Sequence, residues 1–147
     1  MAMIIDAKDL VLGRMASTLA KRVLNGEEIS VVNCEKAVIT GKRSTTIAKA
    51  HMRRNVIGHH LRGPFYSREP EAFVKKSIQG MIPKRAARGI AALKRIRCYV
   101  GTPSQFKDQK AESIEHAHIS QSGAGDYITV AQICRLQGST RLNAGNK

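Results

Sequence analysis

The chain has no tryptophan, and phenylalanine and tyrosine together make up only 4% of its 147 residues. That scarcity leaves no aromatic anchor for a helix lying in a membrane interface. No run approaches the ~18 consecutive apolar residues that a spanning helix needs. The opening, MAMIIDAKDL, lacks the basic start, long apolar core and small-residue cleavage site of a secretory signal, so none is expected. Cys34, Cys98 and Cys134 are odd in number and far apart, which fits reduced thiols in a cytoplasm better than a disulfide framework. Cys98, beside Tyr99, reads as a small core residue. There is no C-x-x-C and no H-E-x-x-H; His116 and His118 could share a strand face, but no cysteine lies near them, and no metal site is expected. Neither G-x-G-x-x-G nor G-x-x-x-x-G-K-[ST] occurs. The opening MIIDAKDLVLGRMAS has the strand–loop–helix order of a nucleotide-binding entry but lacks its phosphate cradle. Gly13 there would permit a close approach or start the helix; Arg14 would pair with an acid or an RNA phosphate. Eleven scattered acids offer no pair for acid–base work. Catalytic residues, cofactors and a small-molecule substrate are therefore not expected.

What is present is a globular pattern. Hydrophobic residues make up 42% of the chain, enough for one domain with a real core. Met3–Ala7 reads as a buried strand, and Leu12, Met15, Leu19 and Val23 keep helical spacing up to a stop at Asn25–Gly26. Residues 29–33 form a second β-branched run, and residues 38–39 continue apolar. Ser44 or Thr45 could cap a helix over residues 46–54. Residues 55–69 hold two glycines, a proline and no helical period, and read as a loop. Residues 96–100 and 127–130 read as strands, and residues 131–137 as a short helix. From Gly138 the tail has almost nothing to bury and is expected to be loose or ordered by a partner. The division is thus one domain over residues 1–137 and a tail over 138–147. Alternating strands and helices predict an α/β fold with a mostly parallel sheet covered on both faces.

The charge is lopsided. Between Lys42 and Val100 stand fifteen Lys and Arg against two acids, Glu69 and Glu71, a net +13 out of +14 for the whole chain. Residues 1–41 are neutral. A solvated helix face usually mixes signs; this stretch does not, which points to a polyanionic partner.

Residues 63–103 carry the centre of that charge. Pro70 fits the first turn of a helix, and Phe73, Val74, Ile78, Met81 and Ile82 recur at helical spacing until Pro83. A second helix is expected just after Pro83. On an ideal wheel Lys84, Arg85, Arg88 and Arg95 share one roughly 100° sector, with Ala86, Ile90, Leu93 and Ile96 opposite. These four cations form one expected contact surface; Arg53, Arg54, Arg62 and Arg68 form a second, on the loop. Lys42, Arg43, Lys75, Lys76 and Lys94 complete the expected phosphate contacts. His59 and His60 could stack on bases or bond phosphates, or be surface residues without a role. Phe65 and Tyr66 lie between Arg62 and Arg68. They could stack on unpaired bases or plug the loop into the core.

Taken together, RGPFYSREP, IQGMIPKRAARGIAALKRIRCYVGTP, LGRMAS, VVNCEKAVITG and YITVAQI closely resemble the signature of the large-subunit ribosomal protein L-thirteen family, in the family's order, over roughly residues 3–137. RGPFYSREP resembles the archaeal and eukaryotic branch, and the short tail the archaeal members. Departures are small: Ile82 stands where leucine is usual, Gln79 where arginine is common, Cys34 where alanine is common. The resemblance implies a three-layer α/β/α sandwich around a parallel four-stranded sheet. It implies a structural, non-catalytic constituent of the large ribosomal subunit that binds large-subunit rRNA early in assembly, beside neighbouring ribosomal proteins. The rival reading is an RNA-processing or nucleotide-dependent enzyme with a basic RNA-binding surface.

Overall fold

A computed structural model of the chain describes residues 3–107 and 109–143. Three strands, β1 (Met3–Asp6), β2 (Ile29–Val32) and β4 (Ile96–Cys98), form a parallel sheet in the order β1-β2-β4. Met3 stands opposite Ile29, and Ile29 opposite Ile96. β2 is buried along its whole length, as a strand flanked on both sides and covered by helices must be.

The expected four-stranded parallel sheet is not what forms. β3 (Val38–Thr40) pairs antiparallel with β5 (Tyr127–Thr129), Val38 opposite Thr129. The cause is local. Asn33 takes a left-handed conformation (φ 55°), and a single 3-10 turn over Cys34–Lys36 carries the chain out of line with β2. β3 bridges in parallel to Val11, on the chain between β1 and α1, and not to a strand of the main sheet. Its other edge is left for β5.

The helix α1 (Leu12–Leu24) follows its spacing closely: Leu12, Met15, Ala16, Leu19, Ala20 and Val23 are buried and pack on the sheet. Each fully buried side chain of leucine or valine size is worth about 1.5–3 kcal/mol of transfer free energy. Gly13 stands in the first turn of α1, as a helix start, and makes no close approach; Arg14 pairs with no acid among the described residues. A Cβ on Gly13 would meet nothing within 4 Å. Arg14 reaches the backbone carbonyls of His116 and Gln121, each at 3.5 Å, and so helps hold residues 116–121 against α1.

The helix α2 (Arg43–His51) begins at Arg43, after Lys42, without a side-chain cap from Ser44 or Thr45. It runs on through a π-helical turn over Met52–Val56. Irregular chain follows to Glu69, as the sequence predicts for most of this stretch. Within it His59 and Gly63 exchange backbone hydrogen bonds, at 3.0 and 2.8 Å. Gly58 lies at φ +112°, where a Cβ would stand 2.8 Å from the Pro64 ring; only glycine closes this turn. From Ile39 to Glu69 no residue is fully buried.

The helix α3 (Pro70–Gly80) starts at Pro70 as expected, and buries Val74 and Ile78. Met81 turns outward, whereas Ile82 is buried. The helix α4 spans Ala87–Lys94, so it starts later than expected. Residues 84–86 form a turn, with Ala86 donating to the Pro83 carbonyl at 3.2 Å. The reason is Gly89, which packs on Pro83 so closely that a Cβ would lie 2.0 Å from the Pro83 carbonyl oxygen. Gly89 and Ala92 become the buried face of α4, and Ile90, expected inside, is 49% exposed.

The helix α5 (Val130–Leu136) starts from a capping box in which Thr129 and Gln132 each satisfy the other's backbone. The tail, read as having almost nothing to bury, places Ser139 fully inside, and the short helix α6 (Thr140–Asn143) follows it. Residues 144–147 of that tail lie outside the described residues.

Candidate nucleic-acid interface

The basic half has two carboxylates, and the tail holds both. Ser139 Oγ donates to Glu69 at 2.7 Å, and the Thr140 backbone N–H and hydroxyl donate to it at 3.1 and 3.0 Å. Partial burial pushes the Glu69 carboxyl up, but these hydrogen bonds outweigh it and hold the group below the usual glutamate range. Arg141 pairs with Glu71 at 2.7 Å. Among the described residues, no Lys or Arg between 42 and 100 makes an ion pair. The positive charge of this region is therefore uncompensated from within.

Several of the expected contacts come together. Lys49, Arg53, Lys76 and Lys84 surround one concavity between α2, α3 and α5. Lys75, Lys76, Lys84 and Lys94 surround a second, between α3 and α4. Lys76 and Lys84 belong to both. A third recess, lined by Lys75, Arg97 and the Arg141-paired Glu71, adjoins the second at β4. The result is one outward-facing cationic surface running from α2 to β4. The Lys76 ammonium also sits 5.6 Å from the centroid of the Tyr66 ring.

The helical wheel fails in detail. Lys84 and Arg85 precede α4, Arg88 lies on it, and Arg95 caps its C-terminus half-buried, so the four share no single helical face. Of the loop set, Arg53, Arg62 and Arg68 are exposed, as are Lys42 and Arg43. Arg54 is half-buried and donates to the Gln137 carbonyl at the end of α5, so it ties the arm to the body. His59 and His60 stack with centroids 4.5 Å apart, and His59 Nδ1 accepts from the Leu61 N–H. Phe65 is 68% exposed and Tyr66 half-buried, so Phe65 does not plug into the core. Lys49, counted in the charge but not singled out from sequence, belongs to the surface. Its place four residues before Arg53 on one helix was the available signal.

Two of the three thiols and one histidine are held in the fold. Hydrogen bonding with Cys98, then burial, raises the Cys34 thiol. Burial pushes Cys134 up to about 12. Neither is a thiolate nucleophile near neutral pH. His116 Nε2 lies 3.0 Å from the Thr18 hydroxyl. Among the described residues no cluster of His, Cys, Asp and Glu could hold a metal ion, and no helix is long and apolar enough to cross a membrane.

Comparison with known proteins agrees with these features. The family model described as Ribosomal protein L13 matches residues 1–105. A large ribosomal subunit protein uL13 of Methanococcoides burtonii is 39% identical over 136 residues, covering 92% of this chain and 97% of its own. The protein of the same name from Methanosarcina barkeri is 40% identical over 137 residues, covering 92% and 97%. That from Archaeoglobus fulgidus is 38% identical over 136 residues, covering 92% and 86%. With an α/β body, an uncompensated cationic surface and relatives matched over nearly its whole length, this chain belongs to the ribosomal protein L13 family, in its archaeal branch.

Proposed function

We propose that the chain is a structural constituent of the large ribosomal subunit that holds large-subunit rRNA on its basic half, supports early subunit assembly, and catalyses no reaction. The observation that carries this is the cationic surface shared by α2, α3 and α4, whose nearby carboxylates are both held by the tail. Phosphate contacts from such a surface give salt-dependent affinity and set position rather than read sequence. The relatives' shared name supports the subunit assignment and neighbouring ribosomal proteins as further partners. No specific observation favours the enzyme reading.

The finer architecture belongs to the same proposal. The bridge of Val38 to Val11, on the short chain between β1 and α1, favours reading both sheets as one layer of an α/β/α sandwich. Residues 1–137 would then be one domain, with residues 139–142 folded back on it. The functional test is a salt titration of binding to large-subunit rRNA. Reversing Lys76 and Lys84 to Glu should weaken binding and flatten its salt slope by about 1 for each phosphate left without its lysine. An unchanged slope would show that these lysines do not meet the RNA.

A further inference from the structure

The first of these concavities is a cleft of about 450 Å³, lined by α2, the chain at Tyr66–Ser67, α3 and α5. Ile133 at its inner end is fully buried, and Ile39 and Phe73 beside it are half-buried. At its outer end Lys49, Arg53, Lys76 and Lys84 are exposed. Tyr66 also lines it, under the Lys76 ammonium.

This combination is more specific than a basic face. Phosphates alone need cations and no chamber behind them. A purely apolar ligand needs the chamber and is not helped by four cations. A nucleotide needs both, because its flat base is joined by a short tether to charged phosphates. The volume lies in the lower part of the range for small-ligand pockets, about 300–1,000 Å³. It suits one nucleotide and is too small for a duplex end. Among the lining hydroxyls, Thr46 and Ser77 donate to backbone carbonyls, while Ser67 accepts from the Glu69 N–H and keeps its own proton to donate. The Thr40 hydroxyl and the Gln137 side-chain amide also line the cavity and have no side-chain hydrogen bond among the described residues. With the Ser67 hydroxyl they are the groups available to a base edge.

We propose that this cavity receives a single unpaired nucleotide swung out of the bound RNA. Its base lies against Tyr66 and Phe73, and the flanking phosphates rest on the four cations. The proposal rests on the rRNA-binding reading above and adds to it a site where the protein senses one base. It assigns the stacking role to Tyr66 and not to Phe65, which does not line the cavity. Extruding a base is least costly where it is already unpaired, so a loop or bulge is the matching RNA feature.

The test uses the full chain and a large-subunit rRNA transcript. Ala50→Phe, on the α2 wall, fills the cavity without touching a charge, and Tyr66→Ala removes the stacking ring. Each should weaken binding about ten-fold to a hundred-fold, the effect of one stacked base, with the salt slope unchanged. One unpaired base, protected from base-modifying reagents in the wild-type complex, should regain reactivity in both variants. Tyr66→Trp should retain binding and protection, which a merely destabilising change at this position would not. If Ala50→Phe lowers the melting temperature, Tyr66→Ala and Tyr66→Trp decide the matter. Wild-type affinity in Tyr66→Ala, with no base changing reactivity, overturns the nucleotide site and leaves rRNA binding standing. A wild-type chain that does not bind the transcript overturns both readings. Free AMP, GMP, CMP and UMP, titrated separately, should bind no tighter than millimolar. Micromolar binding of one of them, blocked by Ala50→Phe while RNA affinity is unchanged, would overturn the RNA as the source.

Discussion

Two stretches of this chain, each opening on a helix, fold on opposite terms. α1 turns six residues wholly inward and commits Arg14 and Arg22 to partners within the protein. The arm formed by α2 and the chain to Glu69 buries nothing completely, leaves Leu61 and Phe65 largely in solvent, and carries seven Lys and Arg from Lys42 to Arg68. The first is held by what it excludes from water. The second is held at a few points, such as Arg54 on the Gln137 carbonyl, and its charges await a ligand. In these two stretches buried apolar surface and exposed charge are thus written into different parts of the sequence.

The largest expected effect that could break this division is in α1. Leu19→Ala should cost about 2–5 kcal/mol of folding stability and lower the melting temperature by several degrees, while rRNA affinity of the folded fraction stays the same. An affinity loss there would mean that body and surface are coupled. Gly89→Ala comes next, at about 1–3 kcal/mol, because the new methyl group must displace the Pro83 carbonyl; thermal unfolding reads it. It tests whether α4 belongs to the body despite its basic sequence. On the arm, Arg62→Glu with Arg68→Glu should leave melting within about a degree and lower the salt slope of rRNA binding by about 2 if each arginine meets one phosphate.

The hold of the tail on the end of the arm gives a smaller, pH-dependent effect. Since the Glu69 carboxyl is held below its ordinary value, it contributes stability that is complete above that value, about 4.5, and is lost as pH falls through its folded value. Melting followed from pH 6 to pH 3 should therefore decline, and decline less steeply in Glu69→Gln. The smallest effect sharpens the comparison most: Leu61→Ala should change stability by less than about 0.5 kcal/mol by chemical denaturation, as a residue in solvent must.

What the sequence made legible follows the same line. Leu12, Met15, Leu19 and Val23 announce α1 because burial and periodicity coincide there. Pro70 announces the start of α3 because its constraint is local. The pairing of β3 with β5 was hidden, since a three-residue strand carries no record of its partner's direction and the turn at Asn33 decides it. The late start of α4 was hidden because the contact of Gly89 with Pro83 exists only after the chain folds. The same displacement put Ile90 outside and broke the expected four-cation face. At the surface, composition located the charge but not its grouping: Lys75, Lys76, Lys84 and Lys94 meet across two helices, and no single wheel contains them. The burial of Ser139 is not legible in the sequence, because a small polar residue reads as loop until its carboxylate partner is known.

That partner lies seventy positions earlier in the chain. A growing polypeptide therefore displays its cations with their two acids still ungoverned, and only later residues take those acids in hand. With that last turn in place Arg141 neutralises Glu71, while Glu69, held by uncharged donors, keeps its negative charge.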